Sequence, residues 1–448
     1  MTENSKGKIM HINANDYEKE VLQGGLVALD FYSTECPPCE ALASKFESLS
    51  EIYGDNIKFI KIFRQENREL ASQLGVKSSP TILFFKNGKI VGDMLTGGIR
   101  RADIMRNLDN LLTPEDAARL KVKIKPVTTE CDLLVLGGGP AGLTAGIYSG
   151  QALVDTIVVD IAAPGGQVTT SHLVSNYPGF SKPVEGYMLM HHMGEQAKAA
   201  GVKTRYSVDV SRVNLQKKEI QLDGYETIRA KKIIIASGST PRPLGIPGEM
   251  EFKGQGISYC ATCDAKYYQD KEVIVIGGGN TAVEEAMFIS KFAKKITIVH
   301  QFAQLQANRV AQQQAFANNK IEFIFEHEPR RFEKTDNGMN VIVEDLKTKE
   351  YKTLSADGVF VFVGMKANLE LFEGNGLDLD DWGYIKVDPT MHTNIPDVFA
   401  VGDVATKIYR QITIAVADAT IAAITAAKEL DEEAVGIDTV ESEEAQAA

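Results

Sequence analysis

Cysteine is scarce in this chain. There are five in 448 residues, and four of them form two Cys-x-x-Cys pairs, Cys36–Cys39 and Cys260–Cys263. A secreted disulfide scaffold would carry many more in a shorter chain, so these pairs read as redox dithiols or as halves of a metal site. The rival is a four-thiolate zinc centre built from both pairs. The residues flanking each pair favour redox chemistry, and no metal is expected. No apolar run approaches the roughly 20 residues needed to span a bilayer. The opening segment, Met1 to Asn13, lacks the apolar stretch of a secretory signal, so a cytoplasmic location is expected, with no membrane partner. Basic residues are outnumbered, 48 Lys and Arg against 60 Asp and Glu, for a net charge of −12. No basic stripe with interleaved aromatics is present, which argues against a nucleic-acid partner.

What is abundant is glycine, 38 residues, in a chain that is 44 % hydrophobic, a balance suited to α/β enzymes with many strand-to-helix turns. The length allows two to four domains, each with its own core. Residues 1–112 read as a small α/β domain. An apolar strand from Leu26 to Phe31 carries Asp30. The first Cys pair follows, then a helix with apolar Ala41, Leu42, Phe46 and Leu49. A strand Ile57 to Phe63, a short helix near Glu69 to Leu74 and a strand Thr81 to Phe85 come next. Asn87-Gly88 marks a hairpin turn, and Ile99 to Leu112 has helical spacing. Residues 113–129 mix charge with Pro114 and Pro126 and read as a linker with room for one helical turn.

Two glycine fingerprints follow. Gly137-x-Gly139-x-x-Gly142 comes after a strand, Asp132 to Leu136, and opens a helix. Such glycines permit a tight turn and let the backbone approach a pyrophosphate at the helix N-terminus. Asp160 ends the next strand about 20 residues on, where a carboxylate binds a ribose. Gly277-x-Gly279-x-x-Ala282 has the same context after Lys271 to Ile276, and alanine in third place still lets the helix pack closely. The next strand ends in His300-Gln301-Phe302, with neither an acid to grip a ribose hydroxyl nor an arginine to grip a 2′-phosphate. His300 itself reads as a surface or capping residue.

At a helix start, the first sulfur of the Cys36 pair meets the helix dipole and free amides, which lower its pKa. Pro37 and Pro38 are tolerated in the first turn and stiffen the loop. Asp30, inside an apolar strand, is placed to exchange a proton with Cys39; its bland reading is a strand-edge acid. Pro80 is a candidate cis proline beside the dithiol. In Cys260-Ala261-Thr262-Cys263-Asp264, the carboxylate of Asp264 is the candidate proton donor for the leaving thiolate, against a bland role as a helix cap. Cys131 opens a predicted strand as an inert core thiol.

These residues carry a resemblance. Residues 130–430 resemble low-molecular-weight thioredoxin reductase through GGGPAGLTAGIY, GGQVTTSHLVSNYPGF, ASGSTPRPLGIPGE, YCATCD, GGGNTAVEEA, GVFVFVG and FAVGDVATKIYRQ. Residues 1–112 resemble thioredoxin through DFYSTECPPC, SSPTILFFKNG and the glycines near Gly97. The resemblance implies an N-terminal thioredoxin fold plus two Rossmann-like domains. An FAD domain (130–243 and 365–430) would be interrupted by a pyridine-nucleotide domain (244–364) holding the dithiol, with 431–448 as an acidic disordered tail. It implies FAD contacts at Gly137, Gly139, Gly142, Asp160, Gln167, Asn176, Asp403 and Gln411, nucleotide contacts around Gly277, Gly279 and Ala282, and a homodimer whose nucleotide domain rotates between two positions. In one, Cys263 faces the flavin; in the other, Cys260 attacks the partner's disulfide.

Three departures from the family pattern stand out. The arginines that hold the NADPH phosphate are replaced between Gln301 and Gln306, so NADH is expected over NADPH. This stretch is more similar to the NADH-using flavoprotein subunit of alkyl hydroperoxide reductase, although that relative has an acid at the position of His300. Glu35 stands where thioredoxin has Trp, and Ala417-Asp418-Ala419 replaces Gly-Glu-Gly near the flavin. The expectation is a flavin-dependent thioredoxin-disulfide reductase with a built-in thioredoxin. In it Cys36 attacks the disulfides of protein substrates, with a peroxiredoxin as one candidate partner, and Cys39 resolves them. The rivals are a peroxiredoxin reductase, a ferredoxin- or deazaflavin-dependent reductase, and a non-catalytic redox sensor.

Overall fold

The structure, a computed structural model, describes residues 9–34, 36–171, 173–174 and 176–435. Glu35 and most of the expected acidic tail, 436–448, lie outside the described residues. In the N-terminal unit a six-stranded sheet runs Ile9–Ile12, Lys58–Phe63, Leu26–Tyr32, Thr81–Lys86, Lys89–Ile90, with Leu95–Thr96 also paired to Thr81–Lys86. The strand Ile9–Ile12, parallel to Lys58–Phe63, was not expected; it is short and mostly exposed, so it lacks the alternation that marks a strand. The helix Pro37–Tyr53 buries Leu42, Phe46, Leu49 and Tyr53 against the sheet, and positive φ at Asn87 and Gly88 closes the hairpin.

The expected linker is corrected by the structure. Pro114–Lys121 is a helix whose start is capped by Thr113 Oγ1, which accepts the Asp116 N–H at 3.2 Å. Proline in the first turn and two acids beside it suit a helix N-terminus. Leu120 is buried with the core of the small domain. A strand begins at Val127, which leaves only 122–126 as the connection.

The first nucleotide-binding unit is a seven-stranded sheet ordered Val210–Asn214, Glu219–Leu222, Glu226–Ile235, Val127–Leu136, Thr156–Asp160, Lys203–Tyr206, with Val398–Ala400 beside Glu226–Ile235. The helix Ile412–Val435 packs with Pro140–Gln151 over it. That helix also corrects the expected start of the tail. Residues 431–435 continue it, and Glu433 pairs at 2.8 Å with Lys232, a buried lysine that also meets Asp397 and Glu429. The second unit has five parallel strands, Ile257–Ser258, Gly358–Val361, Glu272–Ile276, Lys295–His300 and Ile321–Phe325. The two connections between these units, Ser239–Pro241 and Met365–Ala367, pair as an antiparallel ribbon. Among the described residues no helix is long and apolar enough to cross a membrane.

The small domain is seated on the first nucleotide unit. Lys45 Nζ donates to Ile99 O at 3.0 Å and across the boundary to Ser207 O at 2.6 Å. Arg101 is buried with its guanidinium 4.6 Å from the Tyr225 ring centre. Arg100 pairs with Asp209 at 3.1 Å and Lys198 with Glu40 at 3.2 Å.

Candidate active site

The first dithiol is closed as a Cys36–Cys39 disulfide with both residues 8 % exposed. Cys36 is the N-cap and Pro37 and Pro38 start the helix, so the Cys39 N–H points back to Cys36 Sγ at 3.3 Å. The peptide bond Ser79–Pro80 is cis, and Ser79 O lies 3.5 Å from Cys36 Sγ. Asp30 is buried in the central strand, Oδ1 without a hydrogen-bond partner and Oδ2 3.8 Å from Lys61 Nζ. Burial pushes its carboxyl up to about 7 against the attraction of Lys61. A strand-edge acid would be solvated; this one is not.

The second dithiol, Cys260–Cys263, is also a disulfide and begins a short helix, Ala261–Asp264. Cys263 is exposed, and its N–H lies 3.2 Å from Cys260 Sγ. Thr262, between the two cysteines, donates its hydroxyl to the Thr170 carbonyl of the first nucleotide unit. The Asp264 side chain makes no capping hydrogen bond, so the cap role has no contact behind it.

The first fingerprint forms a cradle. A Cβ on Gly137, whose φ is 125°, would fall 2.2 Å from Ala236 O, and one on Gly142 would strike Gly137 O. Gly139 faces Gly166, the backbones near contact, one residue before Gln167. Asp160 accepts the N–H of Gly138 at 2.6 Å and of Ala162 at 2.8 Å, and burial raises its carboxyl against the pull of those amides. Asn176 donates to Gln411 at 3.0 Å, joining segments far apart in sequence. Burial also raises Asp403, 3.5 Å from Ser239 Oγ. Thus Gly137, Gly139, Gly142, Asp160 and Gly166 meet around one helix start, the turn carrying Asp403 reaches it through Gly402, where a Cβ would lie 3.0 Å from Ala141 Cβ, and Asn176 and Gln411 are brought to each other.

At the second fingerprint, Gly277 has φ 126°, the space around Gly279 is open, and Ala282 is fully buried in the helix–sheet packing. His300, expected at the surface, is 5 % exposed instead, because its ring packs on the turn where a Cβ at Gly278 would lie 2.5 Å away. Burial lowers its pKa, and its Nε2 has no hydrogen-bond partner. Gln301, Phe302, Gln304 and Gln306 are exposed around it, and the next arginine is Arg309, exposed at the start of the helix Arg309–Ala317.

Sequence reasoning passed over Glu285 and Lys45, and gave Asp418 no contact beyond its place in the altered motif. Glu285, on the helix after the second fingerprint, has a buried Oε2 without a partner, and burial followed by Glu284 pushes its carboxyl up to about 7. Its signal was an acid pair in an otherwise apolar helix. Asp418, in the altered Ala-Asp-Ala, accepts the Gly402 N–H at 3.1 Å and pairs with Lys407, so this substitution braces the loop that carries Asp403. Lys45 had no sequence signal. Cys131 is buried, with its thiol pushed up to about 12 chiefly by burial.

A family model described as pyridine nucleotide-disulphide oxidoreductase matches residues 131–419, and one described as thioredoxin matches residues 8–110. The chain is 41 % identical over 300 residues to a protein described as the 34.2 kDa protein in the rubredoxin operon of Clostridium pasteurianum, covering 67 % of this chain and 97 % of that one. It is 40 % identical over 308 residues to a thioredoxin reductase of Peptoclostridium litorale, with the same coverage, 67 % and 97 %. Among solved structures, the thioredoxin reductase of Lactococcus lactis aligns with a TM-score of 0.64 at 37 % identity, covering 67 % of this chain and 99 % of that one. The enzyme of that name from T. acidophilum aligns at 0.63 and 31 % identity, covering the same shares, 67 % and 99 %.

Proposed function

The chain belongs to the pyridine nucleotide-disulphide oxidoreductases of the thioredoxin reductase type and carries a thioredoxin domain, and on that premise we propose that its two dithiols work in series. The observation that supports the first half of this series is the seating of the second dithiol: Thr262 bonds Thr170, in the segment that begins at the Gly166 wall of the first cradle. FAD, when bound, supplies two-electron transfer between a reduced nicotinamide and the Cys260–Cys263 disulfide. Gly137, Gly139, Gly142, Asp160, Gln167, Asn176, Asp403 and Gln411 would hold it. Gly277, Gly279 and Ala282 would hold the nicotinamide nucleotide, where the unpartnered His300 Nε2 and Glu285 Oε2 await polar partners.

From the reduced second dithiol onward the steps are thiol–disulfide exchange. Cys260 thiolate attacks Cys36 Sγ, forming a Cys36–Cys260 disulfide and releasing Cys39, which takes a proton from Asp30. Cys263 then attacks Cys260, expelling Cys36 and restoring the Cys260–Cys263 disulfide, while Asp264 supplies a proton to the leaving thiolate. Two electrons have moved to the small domain, whose Cys36 and Cys39 then reduce a protein disulfide. The fusion keeps the acceptor local, at an effective concentration on the order of millimolar for a short flexible tether. The tether is 122–126, about 17 Å when extended.

NADH is the preferred donor in this reading, because Gln301, Phe302 and Gln306 offer no cation to a 2′-phosphate. A homodimer and a peroxiredoxin as final acceptor rest on the family resemblance alone. The test is anaerobic reduction of the FAD-loaded chain by NADH or NADPH, followed by alkylation and peptide mapping. The proposal expects faster reduction by NADH and free thiols at Cys36 and Cys39. Thiols confined to Cys260 and Cys263 would contradict the series.

A further inference from the structure

Between the end of the strand Lys58–Phe63 and the loop leading to Ser79 lies a cleft of about 610 Å³ whose lining includes Arg64, Gln65, Arg68 and Lys77 over buried Ala71 and Val76. Arg64 joins it to the dithiol through one intervening residue. Arg64 Nε donates to Ser79 Oγ at 2.9 Å, and the carbonyl of that same Ser79 lies 3.5 Å from Cys36 Sγ. Among the described residues, neither Arg64, Arg68 nor Lys77 forms an ion pair, although Glu66 and Glu69 are their sequence neighbours. Gln65 adds a buried Oε1 with no partner. Three unneutralised cations in one cleft are unexpected on a chain of net charge −12.

Other parts of the small domain meet the rest of the chain. At Gly98, a Cβ would lie 3.2 Å from Ser207 Oγ and 3.6 Å from Ala163 N of the first nucleotide unit. Glu40, next to Cys39, is held by Lys198. None of the cleft residues takes part in these contacts. Clefts lined by one sign of charge concentrate ligands of the other sign.

We propose that this cleft admits small disulfides carrying carboxylates close to the sulfur–sulfur bond, of the size of a short acidic peptide, as substrates of Cys36. The inference rests on Cys36–Cys39 being the outlet dithiol of the preceding section. Cys36 thiolate attacks one sulfur of the substrate, a mixed disulfide forms, and the first thiol leaves with a proton. Cys39 thiolate then attacks Cys36 Sγ and releases the second thiol. The substrate gains two electrons and two protons, and Cys36–Cys39 is left oxidised for reduction by the second dithiol.

The test uses the full chain with Cys260→Ser and Cys263→Ser, reduced with dithiothreitol and desalted, so that the internal relay plays no part. Loss of Cys36 and Cys39 thiols is timed with oxidised glutathione, which is anionic, and with cystamine, which is cationic. Each rate is normalised to that disulfide's reaction with free dithiothreitol. We expect oxidised glutathione to be favoured by about tenfold or more at low salt. The preference should shrink in concentrated salt and reverse in Arg68→Glu with Lys77→Glu. Rates that respond neither to substrate charge nor to salt would overturn the cleft and leave the outlet dithiol standing. If neither small disulfide oxidises the reduced pair while a protein disulfide does, the cleft proposal falls and the outlet stands; if a protein disulfide fails as well, the outlet reading falls, and the cleft with it.

Discussion

Replacing Asp30 with asparagine should stabilise the small domain at and above neutral pH, by an amount that follows from its burial. The carboxyl sits near 7 in the folded chain against an ordinary value of 3.8. Below about pH 4 it is protonated in both folded and unfolded chains, and the nearly isosteric substitution is close to neutral. Between about pH 4 and 7 the unfolded chain has lost this proton while the folded one keeps it, so stability falls as pH rises. Above 7 the penalty is complete: the gap between 3.8 and about 7, at 1.36 kcal/mol per pH unit, is roughly 4 kcal/mol. Hydrogen exchange in the central strand, Leu26–Tyr32, reports the opening free energy of this core. Asp30→Asn should raise it by up to about 4 kcal/mol near pH 8, with the difference closing toward pH 4. A difference independent of pH, or a variant less stable near pH 8, would refute the reasoning.

Restoring cations with Gln301→Arg and Gln306→Arg should raise the rate of flavin reduction by NADPH about tenfold or more, since a charge-assisted hydrogen bond contributes about 1.5–3 kcal/mol; stopped-flow rates for both nucleotides read this out. Asp264→Asn should retain FAD and fold but slow electron transfer between flavin and dithiol by about 10²–10⁴-fold, because general acid–base assistance is of that size. Unchanged stopped-flow rates would remove Asp264 from the chemistry. Lys45→Met leaves the Ser207 carbonyl without its cross-domain donor, a loss on the order of 1–3 kcal/mol. Limited proteolysis should then cut 122–126 faster than in the parent, and equal cutting would show that Lys45 does not hold the seat.

The parts of this molecule that were legible in the sequence are those set by local spacing. A glycine at a tight turn and a cysteine at a helix start depend on residues within one strand–turn–helix unit, and the pairing of Asp160 with the first fingerprint needs only the next strand as well. The helix Pro114–Lys121 also had local signals, Thr113, Pro114 and two first-turn acids, but its short apolar face offers only Ala117 and Leu120, so it read as linker. The tail was misplaced because Glu433 looks solvated in sequence and becomes a partner of buried Lys232 only in the fold. The seat of the small domain was not legible at all. Lys45 and Ser207 are 162 residues apart, and neither residue type announces an interface. The basic cleft is a similar case, since Arg64 and Lys77 meet across two loops.

Trapping the exchange intermediate tests the two-dithiol series most directly. With both resolving thiols removed, Cys39→Ser together with Cys263→Ser, the FAD-loaded chain is reduced and then mildly reoxidised. Attack by one remaining thiol on the other then leaves a stable bond. Non-reducing peptide mapping should find Cys36 joined to Cys260, within one chain or between two. If that pair never forms while Cys260 readily crosslinks to a separate thioredoxin, the fused domain is not the immediate acceptor and the series is wrong.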